Sequence, residues 1–176
     1  DIWGTADAFR YAWQPLTGDG QITARVASQS SSGLWAKAGV MLREQLTANS
    51  RHAFVFVTPS AGAFMQYRTT TGGSTGPSSG EQPGIAAPYW VRLVRNGNVV
   101  TGYLSANGIT WTARGSVTFS NLPSTVYVGL AASSYSTSSL GTVVFDNVSV
   151  LGAGTPPPPP PVDVTPPTVP TGLTAT

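Results

Sequence analysis

The sequence is short of charged residues and of cysteine, and these shortages exclude several classes of protein. Only 9% of the 176 residues are charged, with one lysine, Lys37, one histidine, His52, and no cysteine. A chain without cysteine forms no disulfide, no zinc–thiolate site and no thiol catalytic centre. A helical bundle or coiled coil needs far more Lys and Glu than this chain has, so that class is excluded as well.

The cationic residues and the apolar runs exclude two kinds of partner. The Lys and Arg residues number nine and form no cluster, whereas nucleic-acid binding needs clustered cations that displace counterions. No apolar run approaches the roughly 20 residues that a membrane helix requires. We therefore expect neither nucleic-acid binding nor membrane insertion.

Short alternating or β-branched runs, separated by Gly, Ser, Asn and Pro, extend over the first 150 residues. They predict about ten strands and an all-β, antiparallel β-sandwich. Asn96 and Gly97 predict a two-residue type I′ hairpin turn, in which both central residues have positive φ, and Asn107-Gly108 predicts another tight turn. The segment 71–88 is interpreted as a long loop, and such loops are often functional.

The composition changes after residue 151 and predicts three segments. Residues 1–151 form the sandwich module, and residues 152–167 form a linker that includes six consecutive prolines, 156–161. A proline run of this kind forms a stiff polyproline II spacer of about 3.1 Å per residue. Residues 168–176 resemble the opening strand of a fibronectin type III module, in which prolines precede a Gly-Leu-Thr strand. This resemblance implies a longer, modular protein.

Several motifs in the body carry a second resemblance. They are Asp1-Ile2-Trp3-Gly4, WAKAGVMLRE at 35–44, YWVRLVR at 89–95 and FDNV at 145–148. These motifs resemble β-sandwich modules of the concanavalin-A-like lectin/glucanase superfamily, which occur in secreted bacterial multidomain proteins. The resemblance implies a jelly-roll sandwich, and the composition adds an extended Pro-rich C-terminal tail. Family members usually have one more strand before the first motif, so we expect either that this strand is missing from the sequence or that the Pro-rich tail, or the tail of a neighbouring chain, supplies it.

Alternation along 35–43 defines two faces of one predicted strand. Ala36, Ala38, Val40 and Leu42 share the core face, and Trp35 shares the other face with two cations. That second face is interpreted either as a polar binding floor on a concave sheet or as a solvated outer face. A sugar ring packs its C–H face on an aromatic ring, while polar side chains bond its hydroxyls. The candidate ligand-binding residues are Trp3, Trp35, Lys37, Arg43, Gln66 and Arg68.

A sandwich of this size needs several aromatic residues in its core. Trp90 and Trp111 are assigned there because they lie inside the predicted hairpin system from 89 to 111. The predicted core also includes a set of aliphatic residues on three strands, namely Val40, Leu42, Val91, Leu93 and Val148.

Asp146 is the candidate metal ligand. Alternation places its carboxylate on one face with Val144, Val148 and Val150, and a carboxylate on an apolar face must be paired or bind a metal. The resemblance implies a structural Ca²⁺ ion, because related carbohydrate-binding sandwiches often hold one through an Asp of the last strand. Hydrogen bonds to backbone N–H groups, or a partner arginine, are the alternative.

The acidic residues give little support for catalysis. Glycoside hydrolysis needs two facing carboxylates roughly 5 to 10 Å apart, and no predicted strand carries two acids at even spacing. No nucleophile turn accompanies His52. We therefore expect a non-catalytic carbohydrate-binding module, located outside the cell or at its surface, that binds polysaccharide or cell-surface glycan. The alternative is a structural subunit of a surface adhesin, tandem array or filament that contacts neighbouring domains or copies through its tail. A glycoside hydrolase or lyase is the third choice.

Overall fold

The computed structural model describes residues 1–30, 32–76 and 79–153. The predicted proline spacer, the fibronectin-like segment and the proposed pairing of the tail lie outside these residues, as does nearly all of the predicted linker. No helix occurs along the described part, so none of it has the length and hydropathy that a helical membrane crossing requires.

The described residues form antiparallel β-strands, which confirms the predicted all-β sandwich. The strands are β1 (Ile2–Trp3), β2 (Ala6–Asp7), β3 (Arg10–Thr17), β4 (Gly20–Gln29), β5 (Lys37–Arg43), β6 (His52–Val57), β7 (Ala63–Arg68), β8 (Ser79–Gln82), β9 (Tyr89–Asn96), β10 (Val99–Ser105), β11 (Thr112–Thr118), β12 (Thr125–Ser133) and β13 (Val143–Gly152). Strand β8 lies within the segment 71–88 that the sequence predicted to be a loop.

The sandwich consists of two sheets with a hydrophobic core between them. One has five strands in the order β11-β10-β9-β4-β13, and the other has six in the order β3-β12-β5-β6-β7-β8. Val40 and Leu42 of β5 meet Val91 and Leu93 of β9 in this core, and each of the four is at most 2% exposed. Alternation therefore assigned these four residues correctly, because their strands keep a regular two-residue period across the core.

The other face of the six-stranded sheet is also covered. Strands β1 and β2 pair as a small hairpin, and Ile2 of this hairpin joins Met41 and three phenylalanines in a second hydrophobic cluster. All seven residues of β5 are consequently buried. The face that contains Lys37 and Arg43 is therefore not a solvated outer surface, which corrects one of the two sequence interpretations.

Strand β13 departs from regular alternation. Asp146 pairs with Arg25, and the next partner pair is Ser149 with Thr23, so two residues of β13 stand opposite one of β4. Asn147 in this bulge has a positive φ of 50°. Phe145 before the bulge packs against the core, so Asp146 and Val148 face outward and Val148 is 47% exposed, whereas the bulge turns Val150 back to the core. The predictions for Val148 and for the apolar face of Asp146 are therefore wrong.

Two further expectations about the region 89–111 need correction. Trp90 and Trp111 are only partly buried and lie outside both hydrophobic clusters. The predicted type I′ turn with Asn96 and Gly97 at its centre is also wrong. Asn96 pairs with Val99, so the two residues between them form the turn, and only Gly97 of these has positive φ. A glycine with positive φ at the first central position fits a type II′ turn, which joins two strands equally tightly.

Candidate functional site

A cavity of about 210 Å³ opens between the β1–β2 hairpin and the six-stranded sheet. Strands β5, β6 and β7 provide its floor, β1 provides one wall, and the segments before β5 and after β12 provide the others. The lining residues are Asp1, Trp3, Trp35, Lys37, Phe56, Phe64, Gln66 and Tyr135. We call this cavity the aromatic pocket.

The walls of the aromatic pocket combine exposed and buried rings. Trp3 is 53% exposed and Tyr135 is 50% exposed, so both present ring surface to solvent. Trp35 is partly buried and packs on Phe64 with ring centroids 5.3 Å apart, and Phe64 stacks on Phe56 at 5.6 Å. The buried rings thus fix the floor, and the exposed rings are free to contact a ligand.

The backbone at Tyr135 is strained. Its φ of 57° lies in the left-handed region, which is an outlier for a bulky side chain and costs about 1–3 kcal/mol. Strain of this kind persists only where surrounding contacts enforce it, and it is concentrated at ligand sites. The Tyr135 ring is one side of the aromatic pocket, so the strained residue is also one that a ligand would touch.

The polar groups of the pocket lie at its floor. The Lys37 ammonium donates to the Asp1 carboxylate at 2.5 Å, and the Lys37 side chain is 4% exposed. Burial lowers the pKa of Lys37 to about 8, against the opposing attraction of the Asp7 carboxylate. Gln66 donates from Nε2 to the carbonyl of Ile2 at 2.8 Å, and its Oε1 has no partner within the described residues.

Arg43 and Arg68 lie away from the aromatic pocket in a buried ion cluster. Arg68 binds both oxygens of the Asp7 carboxylate, at 2.7 and 2.9 Å, and Arg43 donates to one of them at 2.7 Å. His52 lies beside the same carboxylate, and burial lowers its pKa to about 3. Arg68 also donates to the carbonyl of Gly4. Both arginines therefore hold the β1–β2 hairpin on the sheet, which corrects their assignment as ligand-binding residues.

Asp146 is paired with an arginine. Arg25 donates from Nε to one carboxylate oxygen at 2.8 Å and from Nη2 to the other at 2.5 Å, which lowers the pKa of Asp146 to about 2. In the described part of the chain, no group of three or more His, Asp or Glu side chains is placed to hold a metal. These surroundings do not fit a Ca²⁺ site, which needs free oxygen ligands.

Four of the six candidate binding residues thus meet in one pocket, and the structure adds Asp1, Tyr135 and two phenylalanines. Tyr135 comes from a serine-rich segment with no regular pattern, so alternation gave no signal for it. The two phenylalanines did leave a signal. Strand β6 after His52 and the first three residues of β7 are apolar on both faces, and such runs indicate a layer on each side.

Three solved structures have a similar fold. A functionally unknown protein from Saccharomyces cerevisiae matches with a TM-score of 0.64 at 21% identity, over 85% of this chain and 81% of that one. The carbohydrate binding module CBM66 from Bacillus subtilis matches with a TM-score of 0.56 at 13% identity, over 83% and 84%. The GH43 BlXynB protein from Bacillus licheniformis matches with a TM-score of 0.57 at 13% identity, over 81% of this chain but only 33% of that one.

At these identities the likeness concerns the fold, namely the concanavalin-like β-sandwich. No protein-family model matches the sequence. A comparison with curated proteins also finds no match.

Proposed function

We propose that this chain is a non-catalytic carbohydrate-binding module whose ligand occupies the aromatic pocket. The observation that carries the proposal is the meeting of two exposed rings, Trp3 and Tyr135, with the Lys37–Asp1 ion pair in one open cavity. Binding pockets are mostly apolar with a few placed polar groups that fix the orientation of the ligand, and this pocket has that composition.

The chemistry of a sugar suits these groups. The apolar C–H face of a pyranose ring packs on an aromatic surface such as Trp3 or Tyr135, as other apolar groups do on aromatic side chains. Its hydroxyls can donate to the carboxylate of Asp1 and accept from the ammonium of Lys37. Pockets for larger ligands span about 300–1,000 Å³. This smaller pocket therefore suits one sugar unit, with the rest of the glycan outside.

The arrangement of charge favours binding over hydrolysis. Hydrolysis of a glycosidic bond uses two carboxylates that face each other across the bond. Asp1 is the one carboxylate among the lining residues of the aromatic pocket, and its partner is the ammonium of Lys37. That ion pair is suited to hydrogen bonding with hydroxyls.

The similarity of fold to a structure described as a carbohydrate binding module gives further support. A position outside the cell, beside enzymes or at a surface, follows from polysaccharide as the ligand and is part of the proposal. The alternative of a structural subunit joined through its tail rests on residues 152–176, nearly all of which lie outside the described residues.

The test is affinity electrophoresis and pull-down of the protein with a panel of neutral polysaccharides. Trp3→Ala should weaken retention about tenfold, the size of a well-packed aromatic contact, with an unchanged melting temperature because Trp3 is half exposed. Trp13→Ala is the matched control, because Trp13 is 47% exposed and lies outside the aromatic pocket. Failure of the wild-type protein to bind any polysaccharide, or equal losses in both variants, would refute the proposal.

A further inference from the structure

The outer face of the five-stranded sheet carries a second group of aromatic and cationic side chains. Val91 and Leu93 of β9 point into the core, so alternation turns Trp90 and Arg92 to the opposite face. Tyr103 stands beside Arg92 in the neighbouring strand. We call Trp90, Arg92, Tyr103 and Trp111 the Arg92 surface. It lies on the other sheet from the aromatic pocket.

The guanidinium of Arg92 is held in one orientation. It lies over the ring of Trp111, with Cζ 3.7 Å from the ring centroid, and its Nε donates to Thr23 Oγ1 at 2.9 Å. Stacking of a guanidinium on an indole is a favourable cation–π contact. One face and one N–H of the guanidinium are therefore used by the protein, and the side chain is pre-organised.

The ring beneath Arg92 is itself fixed by the hairpin turn before β11. The indole N–H of Trp111 donates to the carbonyl of Gly108 at 3.1 Å, and Trp90 meets Trp111 edge-on with centroids 6.5 Å apart. Gly108 has φ of 72°, and a Cβ there would come within 2.8 Å of the Trp90 ring. The turn thus rests directly on Trp90, and the two indoles form a rigid, partly exposed platform.

Arg92 differs from other arginines of the chain in its partners. Arg25, Arg43, Arg51 and Arg68 each form an ion pair with a carboxylate. Within residues 1–30, 32–76 and 79–153, no carboxylate pairs with Arg92, and its two Nη groups donate no hydrogen bond to protein. Two parallel N–H donors of a stacked guanidinium are thus left for a ligand.

We propose that the Arg92 surface is a second binding site, which takes a saccharide unit that carries a carboxylate, such as a uronic acid residue. A guanidinium with free Nη groups binds a carboxylate through two parallel hydrogen bonds. The adjacent indoles offer an apolar surface to the C–H face of the same sugar ring. The proposal goes beyond the neutral-sugar site of the aromatic pocket and does not depend on it.

The test compares two polymers that share a backbone. Affinity electrophoresis uses polygalacturonate and its fully methyl-esterified form, which has no free carboxylate. We expect retention by polygalacturonate and at least tenfold weaker retention by the ester. Arg92→Gln should lose about tenfold or more for the acid polymer, the usual effect of removing a charge-assisted hydrogen bond. Arg92→Lys should lose nearly as much, because lysine keeps the charge but lacks the planar fork.

Two controls separate this site from general attraction and from the aromatic pocket. Arg10→Gln removes the same charge from an exposed residue of the six-stranded sheet, and its loss should stay below about twofold. Trp3→Ala, which alters the aromatic pocket, should bind polygalacturonate like the wild type. Near-ultraviolet circular dichroism checks that the Trp90–Trp111 platform persists in each variant.

Equal retention by acid and ester polymers, or equal losses in Arg92→Gln and Arg10→Gln, would overturn the proposal. Tight binding of dextran sulfate that survives Arg92→Lys would also overturn it, since that result indicates charge attraction alone. Wild-type protein that binds polygalacturonate but no neutral polysaccharide would instead refute only the function proposed for the aromatic pocket.

Discussion

Replacement of Asp7 by asparagine tests how the β1–β2 hairpin is held on the sheet. The Asp7 carboxylate accepts three hydrogen bonds of 2.7 to 2.9 Å from Arg43 and Arg68, and all three side chains are at most 1% exposed. Asparagine keeps the shape of the side chain but removes its charge. Asp7→Asn therefore leaves two guanidinium groups in the interior with no carboxylate between them.

The expected loss of stability is large. Removal of one partner from a buried ion pair costs about 3–5 kcal/mol, because an uncompensated charge remains out of water. A domain of this size has a total free energy of unfolding of about 5–15 kcal/mol, so the variant should lose a fifth or more of it. A second substitution, Arg43→Met, removes one of the stranded charges and should recover part of the loss.

Urea denaturation followed by tryptophan fluorescence measures the effect, and hydrogen exchange at residues 2–8 shows whether the hairpin detaches first. Asp146→Asn is the matched control, since it breaks the pair with Arg25, whose side chains are 37–38% exposed. We expect no measurable change in that variant, as for most exposed ion pairs. A loss below about 1 kcal/mol in Asp7→Asn would show that the buried cluster does not hold the hairpin.

Two further predictions concern pH and the core. His52 is the one histidine of the chain, and its pKa falls from 6.5 to about 3 on folding. The unfolded chain therefore binds the extra proton, so the free energy of unfolding should fall as the pH is lowered from 6.5 to 5, by at most about 1.4 kcal/mol per pH unit. His52→Gln should flatten this slope in urea titrations, and equal slopes in both proteins would contradict the reasoning. For the core, Leu93→Ala should lower the free energy of unfolding by about 2–5 kcal/mol, and Val148→Ala should lower it by less than about 0.5 kcal/mol. Similar losses in the two variants would indicate that Val148 lies in the core.

The candidate site shows where alternation along a strand stops being informative. The pattern from 35 to 43 assigned Val40 and Leu42 to the core correctly, because one side of the strand is uniformly apolar. It also grouped Lys37 with Arg43 on the opposite face, and both do lie there. The pattern contains no information about what covers that face, so it could not separate a pocket residue, Lys37, from a buried structural one, Arg43.

Strand β13 shows a second limit. The run from Val143 to Val150 alternates well enough to suggest an uninterrupted strand with Asp146 on its apolar face. The bulge at Asn147 shifts the side-chain period, so Asp146 before it faces outward beside Arg25, whereas Val150 after it packs against the core. A bulge depends on the fit to the neighbouring strand, so the sequence of one strand does not reveal it.

The sequence by itself determined the all-β class, the core-facing residues of β5 and β9, and the presence of tight glycine turns. These features depend on side-chain period and on turn chemistry, which are local. The tertiary structure alone decided which polar residues a ligand can contact. Asp7 meets Arg68 across 61 residues of chain, and this long-range contact folds the hairpin over one half of the sheet face. The other half remains open between Trp3 and Tyr135, because burial is decided by the segment that covers a strand and not by the strand itself.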